Sequence, residues 1–310
     1  MKVLITGGAG YIGSVLAENL LKLKYEVTVL DNQIYNKTSL LHCIDYGDKF
    51  NFIRGDVRDE KLLKSLVTRN DVLIPLAALV GAPLCDKNPI DAELINFKHV
   101  KDICSFKSTD QIIIYPNSNS GYGSTDGSSY CTEESPMKPI SIYGTTKLRA
   151  EEECKMVENH ATLRLATVFG ASPRPRFDLL VNNLILKAVK EKIIVLYEKQ
   201  AMRNYIHVKD IAGVFLHILE NWDICKNQTF NAGNDSLNCS KKELVQKIQS
   251  LIPIEIIQAE YTKDPDARNY IVSSQKLYDT GFECKYNLEY GIKEIQKVIE
   301  LIDEPWNANY

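Results

Sequence analysis

The side chains best suited to catalysis in this sequence are a phenol and an ammonium that share one predicted helix face. Tyr143 precedes Lys147 by four residues in YGTTK, so the two lie one helical turn apart. A neighbouring ammonium lowers the pKa of a phenol, which can then take a proton from a hydroxyl while hydride leaves the same carbon. Ser118 follows the apolar run IIIYP, at the predicted carboxyl edge of a sheet. Ser118, Tyr143 and Lys147 are therefore the predicted catalytic residues, for oxidation of an alcohol or the reverse.

A carrier for the hydride is predicted at the N-terminus, where KVLITGGAGYIGS places three glycines between an apolar strand and a helix. Gly7 allows a tight turn, Gly10 lets the backbone approach a pyrophosphate, and Gly13 lets the helix pack closely on the sheet. The free N–H groups at the helix N-terminus, around Tyr11 and Ile12, favour the phosphates. This turn is therefore the predicted site of a nicotinamide dinucleotide.

An acidic residue indicates which dinucleotide is bound. Asp31 ends the second predicted strand, 18 residues after Gly13, where a carboxylate accepts hydrogen bonds from the ribose hydroxyls of adenosine. A carboxylate at this place repels a 2′-phosphate, and no arginine stands at Asn32 or Gln33. The predicted cofactor is NAD rather than NADP.

The composition bounds the class of protein. The chain has 310 residues, a formal net charge of −3, 45% hydrophobic and 25% charged residues, as is usual for a globular enzyme. Nothing in it favours nucleic acid or an anionic membrane as a partner. The eight cysteines show neither CxxC nor Cys/His ligand spacing, so we expect reduced packing thiols, no metal site and a cytoplasmic location. No signal peptide is expected, because a strand begins within two residues of the first residue.

Alternating apolar runs and helical patterns predict an α/β protein with a doubly wound parallel Rossmann sheet. The predicted strands cover residues 3–6, 27–31, 50–56, 72–78, 112–116 and 162–168. A helix is predicted over residues 11–24, with an apolar face formed by Ile12, Val15, Leu16, Leu20 and Leu23. The run Glu151–Glu152–Glu153 is interpreted as a solvated helix face.

The pattern changes after about residue 170, where prolines and arginines interrupt it and shorter, mixed elements follow. We predict a cofactor-binding Rossmann domain over residues 1–170 that carries the catalytic set. Residues 171–310 are predicted to form mainly a smaller substrate-binding lobe, with some segments returning to the main sheet.

Taken together, these motifs resemble the extended short-chain dehydrogenase/reductase family, in its nucleotide-sugar epimerase/dehydratase branch. The resemblance covers essentially the whole chain. It rests on the GxxGxxG turn, Asp31, GDVRD at 55–59, LAA at 76–78, NSNSGYG around Ser118, YGTTK, and RNYIHVKD at 203–210. It implies an NAD-dependent enzyme that acts on a nucleotide sugar, bound mainly by the C-terminal lobe.

The resemblance also implies roles for individual residues. Besides the glycine turn and Asp31, the cofactor set comprises Asp56 and Val57 at the adenine, Leu76, Ala77 and Ala78 along the cofactor path, and Lys147 at the nicotinamide ribose. It also includes Asn32, Asn96, Tyr143, Thr167 and Val168. The substrate set comprises Ser118 at the reacting oxygen, Asn183, Arg203 and Arg268 at the diphosphate, Arg174 and Arg176 at the nucleotide end, Asn119, Thr167 and Tyr197. Guanidinium groups suit a diphosphate because each offers a planar fork of donors. The segment 79–89 is expected to shape the sugar pocket.

Departures from the family pattern narrow the chemistry. Members that remove water between C-4 and C-6 carry an Asp-Glu pair where Asn119 and Ser120 stand, and decarboxylating members usually carry Glu at the second position. Dehydration and decarboxylation are therefore disfavoured. The family also often has Asn where Thr167 stands, and Gly-Thr where His99 and Val100 stand.

Oxidation at C-4 of a nucleotide-activated sugar remains, with Tyr143 as the general base and NAD as the hydride acceptor. From the overall resemblance we expect a 4-dehydrogenase of the GDP-manno-heptose type, used in polysaccharide biosynthesis. The alternative is a UDP- or GDP-hexose 4-epimerase that oxidises C-4 transiently, because the same Ser-Tyr-Lys set serves both. A 4-ketoreductase and a non-catalytic NAD-binding protein rank below these two. Against the non-catalytic protein stands the predicted catalytic set, because a scaffold has no use for a tuned phenol.

The resemblance further implies a homodimer. In the family, the helix that bears the Tyr/Lys motif and its neighbour form a four-helix bundle with a second copy. In this chain those helices are expected near residues 91–106 and 141–158. Because both must also cover the sheet, their apolar positions do not distinguish a dimer from a monomer.

Overall fold

The computed structural model describes residues 1–36, 38–125, 129–259 and 269–302. The strands, in chain order, are β1 (Lys2–Thr6), β2 (Glu26–Asp31), β3 (Phe50–Arg54), β4 (Val72–Pro75), β5 (Ile112–Ser118), β6 (Tyr130–Cys131), β7 (His160–Leu165), β8 (Thr167–Phe169), β9 (Ile193–Leu196), β10 (Met202–His207), β11 (Gln228–Ala232), β12 (Asn234–Ser240), β13 (Glu255–Gln258) and β14 (Ile271–Val272).

Helices connect most of these strands. In chain order they are α1 (Tyr11–Lys22), α2 (Glu60–Val67), α3 (Ala82–Lys87), α4 (Pro89–Ala92), α5 (His99–Phe106), α6 (Ile142–Lys155), α7 (Leu180–Lys190), α8 (Val208–Glu220), α9 (Trp222–Cys225), α10 (Lys241–Leu251), α11 (Gln275–Tyr278) and α12 (Leu288–Leu301). Two 3₁₀ segments cover Leu41–Lys49 and Asn119–Tyr122, and a π-helical segment, Glu93–Lys98, joins α4 to α5.

Seven strands form a central parallel sheet in the order β11-β7-β5-β4-β1-β2-β3. The predicted α/β class with a doubly wound sheet is confirmed. The strand order reverses between β1 and β4, and at such a switch point the loops after the strands diverge and leave a crevice. This arrangement places the loops after β1, β4 and β5 at one edge of the sheet.

Helices cover both faces of the sheet, as a parallel sheet of apolar strands requires. On one face α1 packs against α8, with Leu16, Leu20 and Phe215 fully buried in a common core. On the other face α2, α5 and α6 bury Leu63, Ile103 and Ala150. The helix that carries the predicted catalytic pair therefore lies directly on the sheet.

The first helix is shorter than predicted. It ends at Lys22, and Leu23 is 46% exposed, so Leu23 does not belong to the apolar face. The chain reverses here because Lys24 adopts a left-handed conformation, with φ of 66°, and the Tyr25 amide donates to the Leu20 carbonyl. This turn directs the chain straight into β2.

The segment 162–168 is not one strand, as predicted, but parts of two strands in two sheets. β7 ends at Leu165 in the central sheet, whereas β8 begins at Thr167 and pairs with β10. Between them the Ala166 amide donates to the Ala232 carbonyl at 2.9 Å. The chain leaves the central sheet at this point and supplies a strand to a second layer.

The second layer lies in the C-terminal half. It contains the sheet β12-β10-β8, the pairs β13-β9 and β14-β6, and a separate core enclosed by α7, α10 and α12. The same half also returns α8 and β11 to the central sheet. We keep residue 170 as the proposed boundary between the cofactor domain and the substrate lobe.

Within the described ranges, no helix is both long and apolar enough to cross a membrane. Among the same residues, no group of three or more His, Cys, Asp or Glu side chains could hold a metal ion. All eight cysteines are free thiols, and the Sγ atoms of Cys104 and Cys154 lie 3.7 Å apart between α5 and α6.

Candidate active site

A cavity of about 590 Å³ lies at the carboxyl edge of the central sheet, beside the switch point between β1 and β4. Both halves of the chain contribute to its wall, which brings together most of the predicted site residues. Those that line it are Gly7, Gly10, Tyr11, Ile12, Gly13, Asp31, Asn32, Asp56, Val57, Leu76, Ala77, Ala78, Ser118, Tyr143, Lys147, Thr167, Val168, Arg174, Arg176, Asn183, Tyr197 and Arg203. Leu79, Val80, Gly81, Pro83 and Leu84, from the predicted pocket segment, line it too.

Two of the predicted site residues that the structure describes, Asn96 and Asn119, are not in the cavity wall. Asn96 is buried in the π-helical segment, where its side chain accepts from the Leu79 amide at 2.8 Å and donates to the Leu79 carbonyl at 3.0 Å. It thus shapes the wall by fixing Leu79. Asn119 is 1% exposed, and neither the nitrogen nor the oxygen of its side-chain amide has a hydrogen-bond partner among the described residues. Arg268 lies outside the described residues.

The glycine turn has the shape that a pyrophosphate needs. A Cβ on Gly7, whose φ is 70°, would lie 2.6 Å from the Ala77 backbone, and one on Gly13 would lie 2.6 Å from the Gly8 Cα. A Cβ on Gly10 would lie 3.0 Å from the Gly7 carbonyl oxygen, and Gly10 lines the cavity, so its backbone can be approached from there. Among the residues that the structure describes, no side chain caps α1, and the first turn of this helix holds no acidic residue. Its N–H groups are therefore available to an anion in the cavity.

Asp31 organises the turn as well as lining the cavity. One carboxylate oxygen accepts from the Ala9 amide at 3.0 Å, and the other accepts from the Gln33 amide at 2.8 Å. Burial raises the pKa of Asp31, and these two amides oppose that rise. Each oxygen retains a lone pair, so the carboxylate can still accept from ribose hydroxyls.

We expect wild-type protein freed of cofactor to bind NAD at least ten-fold more tightly than NADP, because the Asp31 carboxylate repels a 2′-phosphate. Asp31→Asn should weaken NAD binding and narrow the ratio of the two dissociation constants. Calorimetric titration of both proteins with both nucleotides measures this. A ten-fold preference of the wild type for NADP would contradict it.

The catalytic helix begins immediately before Tyr143. Ser141 caps it by accepting from the Gly144 amide at 3.1 Å. Tyr143 lies in the first turn and Lys147 one turn later, and both side chains line the cavity. The cap thus fixes where α6 begins, and with it the position of the Tyr143 phenol in the cavity wall.

Lys147 is buried beneath the cavity. It is 4% exposed, and its Nζ lies 4.2 Å from the centroid of the Tyr115 ring. Burial lowers its pKa from the ordinary 10.5 to about 7. The nearby His99 is also buried, which lowers its pKa to about 3 and leaves it neutral. His99 and Val100, which depart from the family pattern, are buried packing residues of α5.

Lys147→Met should raise the stability of the cofactor-free protein at pH 6. At that pH the Lys147 side chain is protonated in both the folded and the unfolded wild type, so folding must bury a charged ammonium. As the pH rises from about 7 towards 10.5, the folded wild type releases this proton while the unfolded chain keeps it, so the wild type recovers stability. We therefore expect the variant to melt several degrees higher at pH 6 and its advantage to shrink by pH 10. Lys190→Met, at an exposed lysine of α7, is the matched control and should show no such pH dependence. A constant difference across this range would contradict the prediction.

Ser118, at the end of β5, is held from two sides. Its amide donates to the Asn117 Oδ1 at 2.7 Å. Its hydroxyl oxygen accepts from the Ser120 amide at 3.2 Å and from the Ser120 hydroxyl at 2.8 Å. The orientation of this hydroxyl therefore depends on the turn that follows β5.

Glu151 corrects the prediction of a solvated Glu151–Glu152–Glu153 face, because it is completely buried. Its carboxylate accepts from Arg164 at 2.8 Å, from Lys155 at 2.6 Å and from the Asn117 side chain. Burial raises the pKa of Glu151, but the hydrogen bonds and charge of Arg164 more than offset this and leave the pKa below its usual range. The helix approaches the sheet closely here, so the cationic Arg164 of β7 has its counter-ion on α6.

Two arginines lie at the cofactor end of the cavity. The Arg174 guanidinium is 4.9 Å from the centroid of the Tyr35 ring. Burial raises the pKa of Asp31, and the charge of Arg174 opposes that rise. Arg176 forms an ion pair with Asp178. Arg174 therefore lies beside the acid that the sequence assigned to the adenosine ribose, rather than apart from it. Tyr35 and Asp178 were not predicted; the position of Tyr35 just after Asp31 was a usable signal.

The other end of the cavity is built from the C-terminal lobe. Arg203 of β10 is 4% exposed, donates to the Met202 carbonyl at 3.2 Å and lies 5.5 Å from the Tyr270 ring centroid. The Asn183 side chain donates to the Phe177 carbonyl at 3.0 Å. Tyr270 lines the cavity but carries no local sequence signal, because it is placed by a distant segment: its amide donates to the Met202 carbonyl of β10 at 3.3 Å, beside Arg203.

Comparison with known proteins gives a consistent result. A sequence model of the NAD dependent epimerase/dehydratase family matches residues 3–233. A putative UDP-glucose 4-epimerase of Methanocaldococcus jannaschii is 26% identical, over 94% of this chain and 96% of its own length. Protein CapI of Staphylococcus aureus is 31% identical, over 71% of this chain and 70% of its own length.

A solved structure shares the fold. It is UDP-glucuronic acid 4-epimerase from Bacillus cereus in complex with UDP-glucuronic acid and NAD. The TM-score is 0.87 at 22% identity, with 97% of this chain and 99% of that chain covered. At this identity the likeness concerns the fold.

Proposed function

Because this chain belongs to the NAD-dependent epimerase/dehydratase family, we propose that it is a nucleotide-sugar 4-epimerase that acts on a UDP-hexose. It is an NAD-dependent enzyme of the extended short-chain dehydrogenase/reductase type. The finer assignment rests on one observation above the others. Relatives that match the chain almost from end to end carry the names of UDP-glucose 4-epimerases.

This proposal takes the alternative reading of the sequence rather than the leading one. A GDP-manno-heptose 4-dehydrogenase was expected from overall resemblance, and none of the relatives described above carries such a name. The similarity of the Methanocaldococcus jannaschii protein over 94% of the chain extends into the C-terminal lobe, where the sugar is proposed to bind. These relatives therefore support an epimerase, which oxidises C-4 transiently, over a dehydrogenase, which releases a keto sugar.

The chain's own residues supply the proton chemistry. The glycine turn and Asp31 would hold NAD, which would supply a reversible hydride acceptor for C-4 of the sugar. Tyr143 takes the proton of the C-4 hydroxyl as a phenolate and gives it back. In its protonated form, Lys147 stabilises that phenolate with its positive charge. Ser118 donates a hydrogen bond to the same oxygen, which favours the keto form.

The structure around Ser118 argues against dehydration. Elimination needs an acid for the leaving hydroxyl and a base for C-5. Neither Asn119 nor Ser120 lines the cavity, and the Ser120 hydroxyl donates a hydrogen bond to the Ser118 hydroxyl oxygen. These two positions therefore supply no acid or base to the sugar.

The proposed diphosphate site lies between α7 and β10. Arg203 is cationic, almost fully buried and within the cavity wall, and Asn183 and Tyr197 line the same wall. A buried guanidinium is well suited to a diphosphate, because it is weakly hydrated and presents several donors in one plane. We keep Arg268 in this proposed set on its sequence position alone.

We also propose the homodimer through α5 and α6. The Arg149 guanidinium of α6 lies 3.8 Å from the Phe97 ring centroid and pairs with Glu93 at 2.7 Å, which joins α6 to the π-helical segment that continues into α5. The proposal rests on the family resemblance, in which the helix that bears the Tyr/Lys motif and its neighbour form a four-helix bundle with a second copy. Sedimentation should give twice the monomer mass, and a monomer at micromolar concentration would count against the dimer.

A panel of nucleotide sugars tests the proposed activity. The protein with NAD is incubated with UDP-glucose, UDP-N-acetylglucosamine, UDP-glucuronic acid, a dTDP-hexose and GDP-manno-heptose. We expect one UDP-hexose to yield its C-4 epimer by NMR, with no net NADH absorbance at 340 nm. A keto sugar formed with equimolar NADH would instead support the dehydrogenase, and no change in any sugar would count against both. The Tyr143→Phe protein, purified in parallel, controls for contaminating host epimerase.

A further inference from the structure

Ser120 contacts the reacting centre only through another residue. It lies in the 3₁₀ turn after β5, is 3% exposed and does not line the cavity. Its hydroxyl donates to the Ser118 hydroxyl oxygen at 2.8 Å, and its amide donates to the same oxygen at 3.2 Å. The side chain therefore cannot touch a bound sugar, but it acts directly on one that does.

The two bonds determine which way the Ser118 hydroxyl can act. A serine hydroxyl has one hydrogen to donate and two lone pairs with which to accept. Ser120 occupies both lone pairs of Ser118. None of the described residues accepts the remaining Ser118 hydrogen, and Ser118 lines the cavity. The Ser118 hydroxyl can therefore donate its hydrogen to a ligand in the cavity.

We propose that Ser120 is a positioning residue that holds Ser118 as a hydrogen-bond donor to the oxygen on C-4 of the sugar. This inference rests on the proposed function, because it assigns the direction of a hydrogen bond within that reaction. If Ser118 accepted a hydrogen bond instead, the C-4 hydroxyl would direct its proton towards Ser118 and away from Tyr143. With both lone pairs filled, Tyr143 is the acceptor for that proton, and the keto oxygen always meets a donor.

A double-mutant cycle tests this with the sugar that the panel identifies. Ser118→Ala should lower kcat about 100-fold, as expected for loss of one donor to a developing oxyanion. Ser120→Ala keeps the backbone bond but loses the hydroxyl bond, and should lower kcat about ten-fold with KM nearly unchanged. In the double variant, Ser120→Ala should have no further effect. Ser120→Thr, which keeps a hydroxyl, should restore most of the rate.

Ser240→Ala is the matched control, since it removes a buried capping hydroxyl of α10 that does not line the cavity. It should lower the melting temperature without changing kcat, which separates stability from turnover. A ten-fold loss from Ser120→Ala that persists in the Ser118→Ala background would overturn the inference, as would full kcat in Ser120→Ala. If wild-type protein turns over no sugar of the panel, the proposed function fails and this inference falls with it.

Discussion

Tyr143→Phe is expected to lower kcat by at least about 1,000-fold while the protein still folds and binds NAD. The phenol is the group that takes the C-4 proton, and general acid–base catalysis by a positioned side chain contributes about 10²–10⁴-fold. The ring itself remains to pack at the start of α6, where Tyr143 is half-buried. Turnover is measured by NMR, and bound NAD is measured by calorimetry on the same preparation.

Tyr46→Phe is the matched control for this variant. Tyr46 packs partly buried against the core beneath the 3₁₀ segment and does not line the cavity. It should keep wild-type kcat. If Tyr143→Phe retained more than a tenth of the wild-type rate, Tyr143 could not be the proton acceptor, and the proposed mechanism would fail.

Glu151→Ala should destabilise the fold by about 3–5 kcal/mol, the usual cost of leaving one partner of a buried ion pair without its counter-ion. Arg164 is 4% exposed on its side chain and makes its ion pair with Glu151, as does the more exposed Lys155. Removal of the carboxylate leaves the Arg164 guanidinium buried, with the Tyr122 hydroxyl and the Glu133 carbonyl as its only acceptors among the described residues. Urea denaturation at pH 7 measures the loss.

Glu152→Ala is the matched control for Glu151→Ala, because Glu152 is the next residue on the same helix and is exposed. It should change the free energy of unfolding by no more than about 0.5 kcal/mol. The folded-state pKa of Glu151 lies below its unfolded value, so its contribution is present above the unfolded pKa and is lost as the pH falls through the folded one. Equal denaturation midpoints for Glu151→Ala and Glu152→Ala would show that the buried pair does not stabilise the fold.

The local signals in the sequence were sufficient for the parts of the site that lie on single strand–loop–helix units. The turn from β1 to α1, Asp31 at the end of β2, and Tyr143 with Lys147 on α6 are each set by a few neighbouring residues. Parallel strands bring their carboxyl ends to one edge, so these units converge without further information. The fold class and the NAD cofactor were predictable for the same reason.

What the sequence did not reveal depends on contacts between distant segments. Glu151 reads as part of an acidic run, and only the position of Arg164 on β7 shows that it is a buried counter-ion. The break at Ala166 depends on β11, more than 60 residues later, whose Ala232 carbonyl accepts from the Ala166 amide. Leu23 has the right spacing for the apolar face, but the turn at Lys24 ends the helix before that face is complete.

The return of β11 to the central sheet has a consequence for how the chain is synthesised. β7 is buried along its whole length, and its outer edge pairs with β11 at residues 228–232. During translation that edge remains bare until residue 232 has left the ribosome, and a bare apolar edge is a template for unwanted strand pairing. A fragment ending near residue 170 would expose the edge permanently, together with the face of α1 that α8 covers. Such a fragment should aggregate when expressed, whereas one extended to include β11 should be more soluble.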